Sequence, residues 1–226
     1  MLQLEERYLS VKAAIEKAAS KAGRSPAEIE LIVISKNHPA QLVQDLYAMG
    51  QRQFGENRDQ EAGPKAEATA NLEQIVWHFV GQLQSNKVKS ALGYSQVLHS
   101  IDRSSLVQAL RRELLEREQQ LSGFIQLNLT DDPNRGGVNP GELLEFAEKV
   151  LTLPNFRLLG VMGVAALNRD PRIDFELIAN ASQGLMTLES GARFISAGMS
   201  HDFEQAIEFG ATHLRIGTAI TGNRNL

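Results

Sequence analysis

Short apolar runs alternate with longer amphipathic stretches along almost the whole chain. The runs at 31–36 (LIVISK), 53–57 (QFGEN), 75–81 (IVWHFVG) and 96–101 (QVLHSI) predict strands, as do 123–129 (GFIQLNL), 156–164 (FRLLGVMGV), 193–199 (RFISAGM) and 213–219 (HLRIGTA). Helical spacing of apolar positions predicts helices over 39–50, 103–120, 141–151, 173–189 and 202–209, with weaker helical patterns at 58–70 and 84–91. The opening stretch, MLQLEERYLSVKAAIEKAASKAG, is charged and amphipathic and predicts one more helix ending near Gly23. Pro39 and Pro140 suit first-turn positions, and Gly210 suits the residue just past a helix end.

Continuously apolar strands, each followed by a helix, argue for a parallel sheet with helices over it. Eight such units without a composition break favour closure into a (β/α)8 TIM barrel with an extra N-terminal helix over an open doubly wound sheet. The expected organisation is one domain over residues 1–226. The loop Pro133-Asn134-Arg135-Gly136-Gly137, after the fifth strand, is too short to divide it.

Composition narrows the chemistry. A chain of 226 residues can bury about 70% of its unfolded surface as one domain, so a full core is available. The formal net charge of −4 gives no general attraction to nucleic acid or to an anionic membrane. Without cysteine there can be no disulfide, thiolate nucleophile or iron–sulfur cluster. The N-terminus has no apolar signal-peptide core, and no stretch nears the roughly 20 apolar residues of a membrane span. A cytoplasmic protein is expected. There is no P-loop, no G-x-S-x-G elbow and no G-x-G-x-x-G fingerprint, and His99, His201 and His213 lack metal-ligand spacing. No metal is expected.

In a barrel, chemistry gathers at the carboxyl ends of the strands. Those ends carry Lys36, Glu56 and Asn57, His78, Asn128, Gly198-Met199-Ser200 and Arg215-Ile216-Gly217-Thr218. A partly desolvated lysine amine at a strand end is a nucleophile able to form a Schiff base, although a strand-end lysine can equally pack its stem and send its amine to water. Gly198-Met199-Ser200 and Gly217-Thr218 follow the seventh and eighth strands, where barrels bind phosphate, and offer free backbone N–H groups and hydroxyls. Ser200 could instead be an N-cap and Gly217 a packing residue. Asn57, with Gln60 in the capping-box position, could cap a helix, and His78 could be a satisfied core histidine. Arg215 lies inside an apolar strand and needs an acceptor: a carboxylate on a neighbouring strand, a phosphate or a ring nitrogen.

The motifs VISK at 33–36, FGENRDQE at 54–61, WHFVGQLQSNK at 77–87, HSID at 99–102, GMSHDFEQAI at 198–207 and RIGTAITGNR at 215–224 together resemble the pyridoxal phosphate homeostasis protein family (YggS/PROSC). The resemblance implies a barrel like the N-terminal domain of alanine racemase, the fold-type III arrangement for pyridoxal 5'-phosphate (PLP). It also implies that PLP forms a covalent aldimine on Lys36. Ser200, Gly217 and Thr218, with the backbone of Gly198 and Met199, would grip the phosphate. Arg215 would approach the pyridine nitrogen, Met162 would lie near the ring, and Asn57 and His78 would line its surroundings. The chain departs from the usual pattern at Arg135, Gly163, Ala197 and Thr221, all on loops and rim.

An arginine at the pyridine nitrogen favours the unprotonated ring, a weaker electron sink than one protonated through a carboxylate. Fold-type III racemases add a second domain that supplies a tyrosine acid/base. Here the last strand is followed by few residues, and Tyr8, Tyr47 and Tyr94 fall on the N-terminal helix, a covering helix and a connecting loop. The expected function is therefore PLP holding and intracellular PLP homeostasis without dedicated turnover, by a monomer that passes the cofactor to PLP-dependent apoenzymes. A small PLP-dependent amino-acid racemase is the alternative, and a Schiff-base aldolase acting on a sugar phosphate is a third.

Overall fold

Alternation along the strands divides their side chains between two apolar clusters, as the two-residue period of a strand requires. Val33, Phe54, Trp77, Leu98, Ile125 and Leu214 face outward and join the helices in the main core. Val97, Phe124, Leu159 and Met162 face inward, with Val76 and Phe194 packed against them. The computed structural model describes residues 2–130, 132 and 135–222.

The strands β1 (Glu30–Ile34), β2 (Gln53–Glu56), β3 (Val76–Phe79), β4 (Val97–Ile101), β5 (Leu121–Gln126), β6 (Phe156–Met162), β7 (Phe194–Ser196) and β8 (His213–Ile216) form one closed parallel barrel in sequence order. β1 closes on β8 through Leu31 opposite Leu214 and Ile32 opposite Arg215. The covering helices are α2 (Ala40–Ala48), α3 (Asp59–Ala68), α4 (Val88–Leu92), α5 (Ser104–Leu114), α6 (Leu143–Leu151), α7 (Pro171–Leu188) and α8 (Phe203–Glu208). A short α9 (Thr218–Thr221) follows β8, and α1 (Leu2–Lys21) packs across α8 and α9. Leu4, Tyr8, Val11, Ile15 and Ala18 form the buried stripe of α1. Among the described residues no helix is long and apolar enough to cross a membrane.

The expected barrel and extra N-terminal helix are present, with Gly23 in a left-handed conformation at the end of α1 and Gly210 likewise after α8. The ends differ from the pattern in a consistent way. Most strands stop before the apolar run does, and Lys36, Asn57, Gly163, Gly198 and Gly217 all lie just past a strand end, where the backbone turns to form loops. The helix expected over 103–120 stops at Leu114, after which Arg117 ties the chain back to carbonyls of Leu92 and Ser95. Pro39 stands at the N-cap of α2, not in its first turn, whereas Pro140 opens a short 3-10 turn before α6.

Gly160 marks an irregularity in the pairing of β5 with β6, where the register shifts between Gly123 and Phe124. Its φ is 151°, and a Cβ there would stand 1.9 Å from the Phe194 carbonyl oxygen. Gly184, inside α7, has nothing within 4 Å of the same position. Gly160→Ala is expected to cost at least about 3 kcal/mol, while Gly184→Ala should gain up to about 1 kcal/mol. Urea unfolding of the two variants against the parent checks both signs.

Candidate functional site

Lys36 sits two residues past β1 on a braced turn. The Ser35 hydroxyl donates to Glu56 Oε1 at 2.7 Å, and Lys65 Nζ donates to the Ser35 carbonyl at 2.8 Å while pairing with Glu56. Asn37 adopts φ 61°, and its N–H donates to Glu61 at 2.9 Å. Ser35, Glu56 and Lys65 are buried behind the sheet, so Glu56 turns away from the strand-end cavity. Lys36 itself is exposed, beyond the buried end of its strand. The brace fixes where the side chain starts.

Beside Lys36, where β8 closes on β1, the loops after β7 and β8 meet. Gly198 has φ 92°, and a Cβ there would lie 2.8 Å from Ala206 Cβ, so glycine is required by the fold itself. Gly217 differs: a Cβ would meet nothing closer than Ile34 at 3.5 Å, an ordinary contact. Packing does not demand glycine at 217. What a side chain would fill there is the cavity. Ser200 does not cap α8, whose N-cap is Asp202; its Oγ accepts the Ala219 N–H of α9 at 3.2 Å, joining the two loops. Asp202 in turn accepts the Met199 N–H at 2.6 Å.

These groups surround one cavity of about 340 Å³, lined by Lys36, Asn57, Met162, Met199, Ser200, Arg215, Gly217 and Thr218 together with Val80, Gly81, Val164 and His201. The size lies at the lower end of small-molecule sites, roughly 300–1,000 Å³. Asn57 does not cap α3, which begins one residue later at an Arg58 N-cap, and so no capping box with Gln60 forms. Asn128 spends its side chain on the carbonyls of Asp132 and Arg135 and on Thr130, shaping its own loop. Pro133 and Asn134 of that loop, and Asn223 and Arg224 of the last motif, lie outside the described residues.

Arg215 makes no salt bridge among the described residues. Its guanidinium donates to Ser196 Oγ at 2.5 Å and to the Gly163 carbonyl at 2.9 Å, on the barrel side, while also lining the cavity. Burial lowers its pKa to about 10, so it stays a cation at neutral pH. The room beside Gly163 is taken by Ile178, whose Cδ1 would be 2.4 Å from a Cβ at that position.

His78 is not among the cavity-lining residues. Its side chain points into the barrel below the cavity, where Nε2 meets Gln53 Oε1 at 2.7 Å and Nδ1 meets His99 Nε2 at 2.9 Å. His99 Nδ1 continues to Ser196 Oγ at 2.8 Å. Burial pushes the His78 pKa down to about 3, with a contribution from His213, and holds His99 well below the ordinary imidazole value. Sequence reasoning named His78 and Arg215 but missed Gln53, His99 and Ser196, which join them. The available signal was three polar residues at inward-facing positions of otherwise apolar strands.

An eight-stranded barrel with a strand-end lysine facing a glycine-and-hydroxyl cradle defines the class of barrels found as the N-terminal domain of alanine racemase, and that family model matches residues 10–225. A pyridoxal phosphate homeostasis protein of Pseudomonas aeruginosa is 37% identical over 100% of this chain and 97% of its own length. One from Escherichia coli K12 is also 37% identical, covering 100% and 98%. The chain belongs to the pyridoxal phosphate homeostasis protein family. PipY of Synechococcus elongatus, solved with PLP bound, is 32% identical with a TM-score of 0.86, matching 97% of this chain and 100% of that one. Alanine racemase of Corynebacterium glutamicum shares the fold alone: 12% identity, TM-score 0.69, over 96% of this chain and 61% of its own.

Proposed function

We propose that this chain binds PLP in the strand-end cavity, holds it reversibly as a Schiff base on Lys36, and serves intracellular PLP homeostasis by taking up and releasing the cofactor without dedicated turnover. One observation carries this reading: a single cavity brings together the Lys36 amine, the open backbone at Gly217 with the Ser200 and Thr218 hydroxyls, and the Arg215 guanidinium. Each group suits one part of the molecule. The space left by the missing Cβ at Gly217 allows a phosphate to approach backbone N–H groups. Ser200 and Thr218 can donate to phosphate oxygens, and Arg215 can donate to a ring nitrogen. PipY, solved with PLP bound, and the relatives named for PLP homeostasis support the reading.

When bound, PLP supplies an aldehyde that condenses with primary amines and a ring that can accept electron density. The residues around it act as holders. Lys36 offers the amine, Met162 and Val164 supply apolar cover, and Asn57 borders the Lys36 side. Arg215 keeps its proton and could donate to a ring nitrogen, which would disfavour a protonated ring and make it a weaker electron sink. The tyrosines are engaged elsewhere: Tyr8 donates to Gln51 at 3.0 Å, Tyr94 to Asp59 at 3.4 Å, and Tyr47 lies 3.8 Å from the Arg52 guanidinium. That placement supports a holder over a two-base racemase. Delivery to PLP-dependent apoenzymes, a monomeric state, a single domain and a cytoplasmic location belong to the same proposal.

Purified protein mixed with PLP should develop a near-visible absorbance band. Borohydride reduction followed by trypsin should yield residues 25–52 as one modified peptide, because a pyridoxyl group on Lys36 blocks cleavage between Arg24 and Arg52. A protein that stays colourless at saturating PLP, or carries its label on another lysine, sinks the proposal.

A further inference from the structure

We propose that Ser196, His99 and His78 are positioning residues for Arg215, forming a hydrogen-bonded chain through the barrel that fixes how its guanidinium meets the pyridine ring. This deepens the reading that PLP occupies the cavity, and rests on it.

The direction of every bond in the chain follows from its Gln53 end, where an amide oxygen can only accept. A guanidinium has no acceptor, so Ser196 Oγ accepts from Arg215, and its own hydrogen goes to His99 Nδ1 once the Gln53 end has fixed both imidazole tautomers. His99 must then carry its proton on Nε2, which donates to His78 Nδ1. His78 likewise carries Nε2–H and donates to Gln53 Oε1, an atom with no hydrogen to give. The opposite polarity fails at Gln53 Oε1, which cannot donate to His78. One proton arrangement therefore satisfies all four contacts, with both imidazoles neutral.

Packing keeps the rings in that arrangement. His99 lies between His78, with centroids 5.1 Å apart, and Phe124 at 4.7 Å, and Phe124 is closed from its other side by His213 at 5.0 Å. With Gly163 as a second anchor, two of the five guanidinium N–H groups are held from the barrel side among the described residues. The chain ends in an amide, so it orients Arg215 without neutralising it. Arg215 also lines the cavity, and the Asp202 carboxylate, outside the lining, partly compensates its charge. A carboxylate-terminated chain would orient the arginine equally well but would weaken the field that disfavours a protonated ring.

The test uses PLP labelled with ¹⁵N in the ring, with the wild-type protein, Ser196→Ala, Ser196→Thr and His99→Leu. Three things are measured: borohydride trapping, Kd from absorbance titration, and the ring-¹⁵N resonance. Ser196→Ala should still trap PLP on Lys36, bind it about tenfold more weakly, and show a displaced ring-¹⁵N resonance. Ser196→Thr, which keeps the hydroxyl, should restore both, and His99→Leu should displace the resonance in the same direction by less. A purely structural role would lower the melting temperature and leave Kd and resonance unchanged, and that result overturns the proposal. If Ser196→Ala does not fold, an unchanged resonance in His99→Leu overturns it instead. Wild-type protein that traps no PLP overturns the underlying reading, an outcome visible before any variant is made.

Discussion

Lys36→Ala should abolish the near-visible band of the PLP-loaded protein and all borohydride-stable label, while leaving the fold intact. The loss should be complete because Lys36 is the only primary amine among the described residues lining the cavity. Lys65 cannot take its place. Although close in sequence to the site strands, it is buried behind β1 and β2, paired with Glu56 and donating to the Ser35 carbonyl. The variant should be benign for stability, within about 0.5 kcal/mol of the parent, because an exposed lysine stem gives up little on truncation. PLP should still bind without a covalent link, since Ser200, Arg215, Gly217 and Thr218 are untouched, but more weakly and with the spectrum of a free aldehyde. Absorbance, equilibrium dialysis and thermal melting separate these effects. A band or label that survives in Lys36→Ala refutes the assignment of the amine.

Mild acid should destabilise the protein steeply. His78 and His213 have pKa values lowered to about 3 and about 4, and His99 is lowered well below its ordinary value, in each case chiefly by burial. In the unfolded chain each would titrate near 6.5. Below that pH the unfolded state takes up protons that the native state refuses, so stability is fully present above pH 6.5 and falls as pH drops toward the native values. Between pH 7 and pH 5 His78 should account for about 2 kcal/mol of lost stability, and His99, lowered by the same burial, should add to the loss in the same direction. Against a total of about 5–15 kcal/mol, that is a large share. Urea midpoints at pH 7 and pH 5 measure it, and a His99→Leu variant should show a shallower dependence. A midpoint that does not move between those pH values refutes neutral burial of the histidines.

The two effects have different legibility in the sequence. Lys36 and the glycines of the last two units could be found by placing polar residues at the ends of apolar runs, since closure of eight parallel units sends all those ends to one face. The same approach misjudged local roles. Asn57 and Ser200 look like caps for the helices that follow them, but α3 and α8 start later than the pattern suggests, leaving both residues on the cavity. His78 looks like a strand-end group, but it belongs to the barrel interior, one layer below.

What the sequence by itself determined is the periodic part: eight apolar runs of strand length, helices between them, an amphipathic opening helix, and chemistry gathered at one set of strand ends. Apolar spacing reports which faces must be buried, and that is enough to imply a barrel. Only the tertiary structure decided the pairing of distant polar groups. Gln53, His78, His99, Ser196 and Arg215 come from five strands, and nothing in their spacing marks them as partners. Inside a closed barrel His78, His99, Ser196 and Arg215 are cut off from water, so each has to find its hydrogen-bond partner across the sheet, and half-buried Gln53 ends the chain.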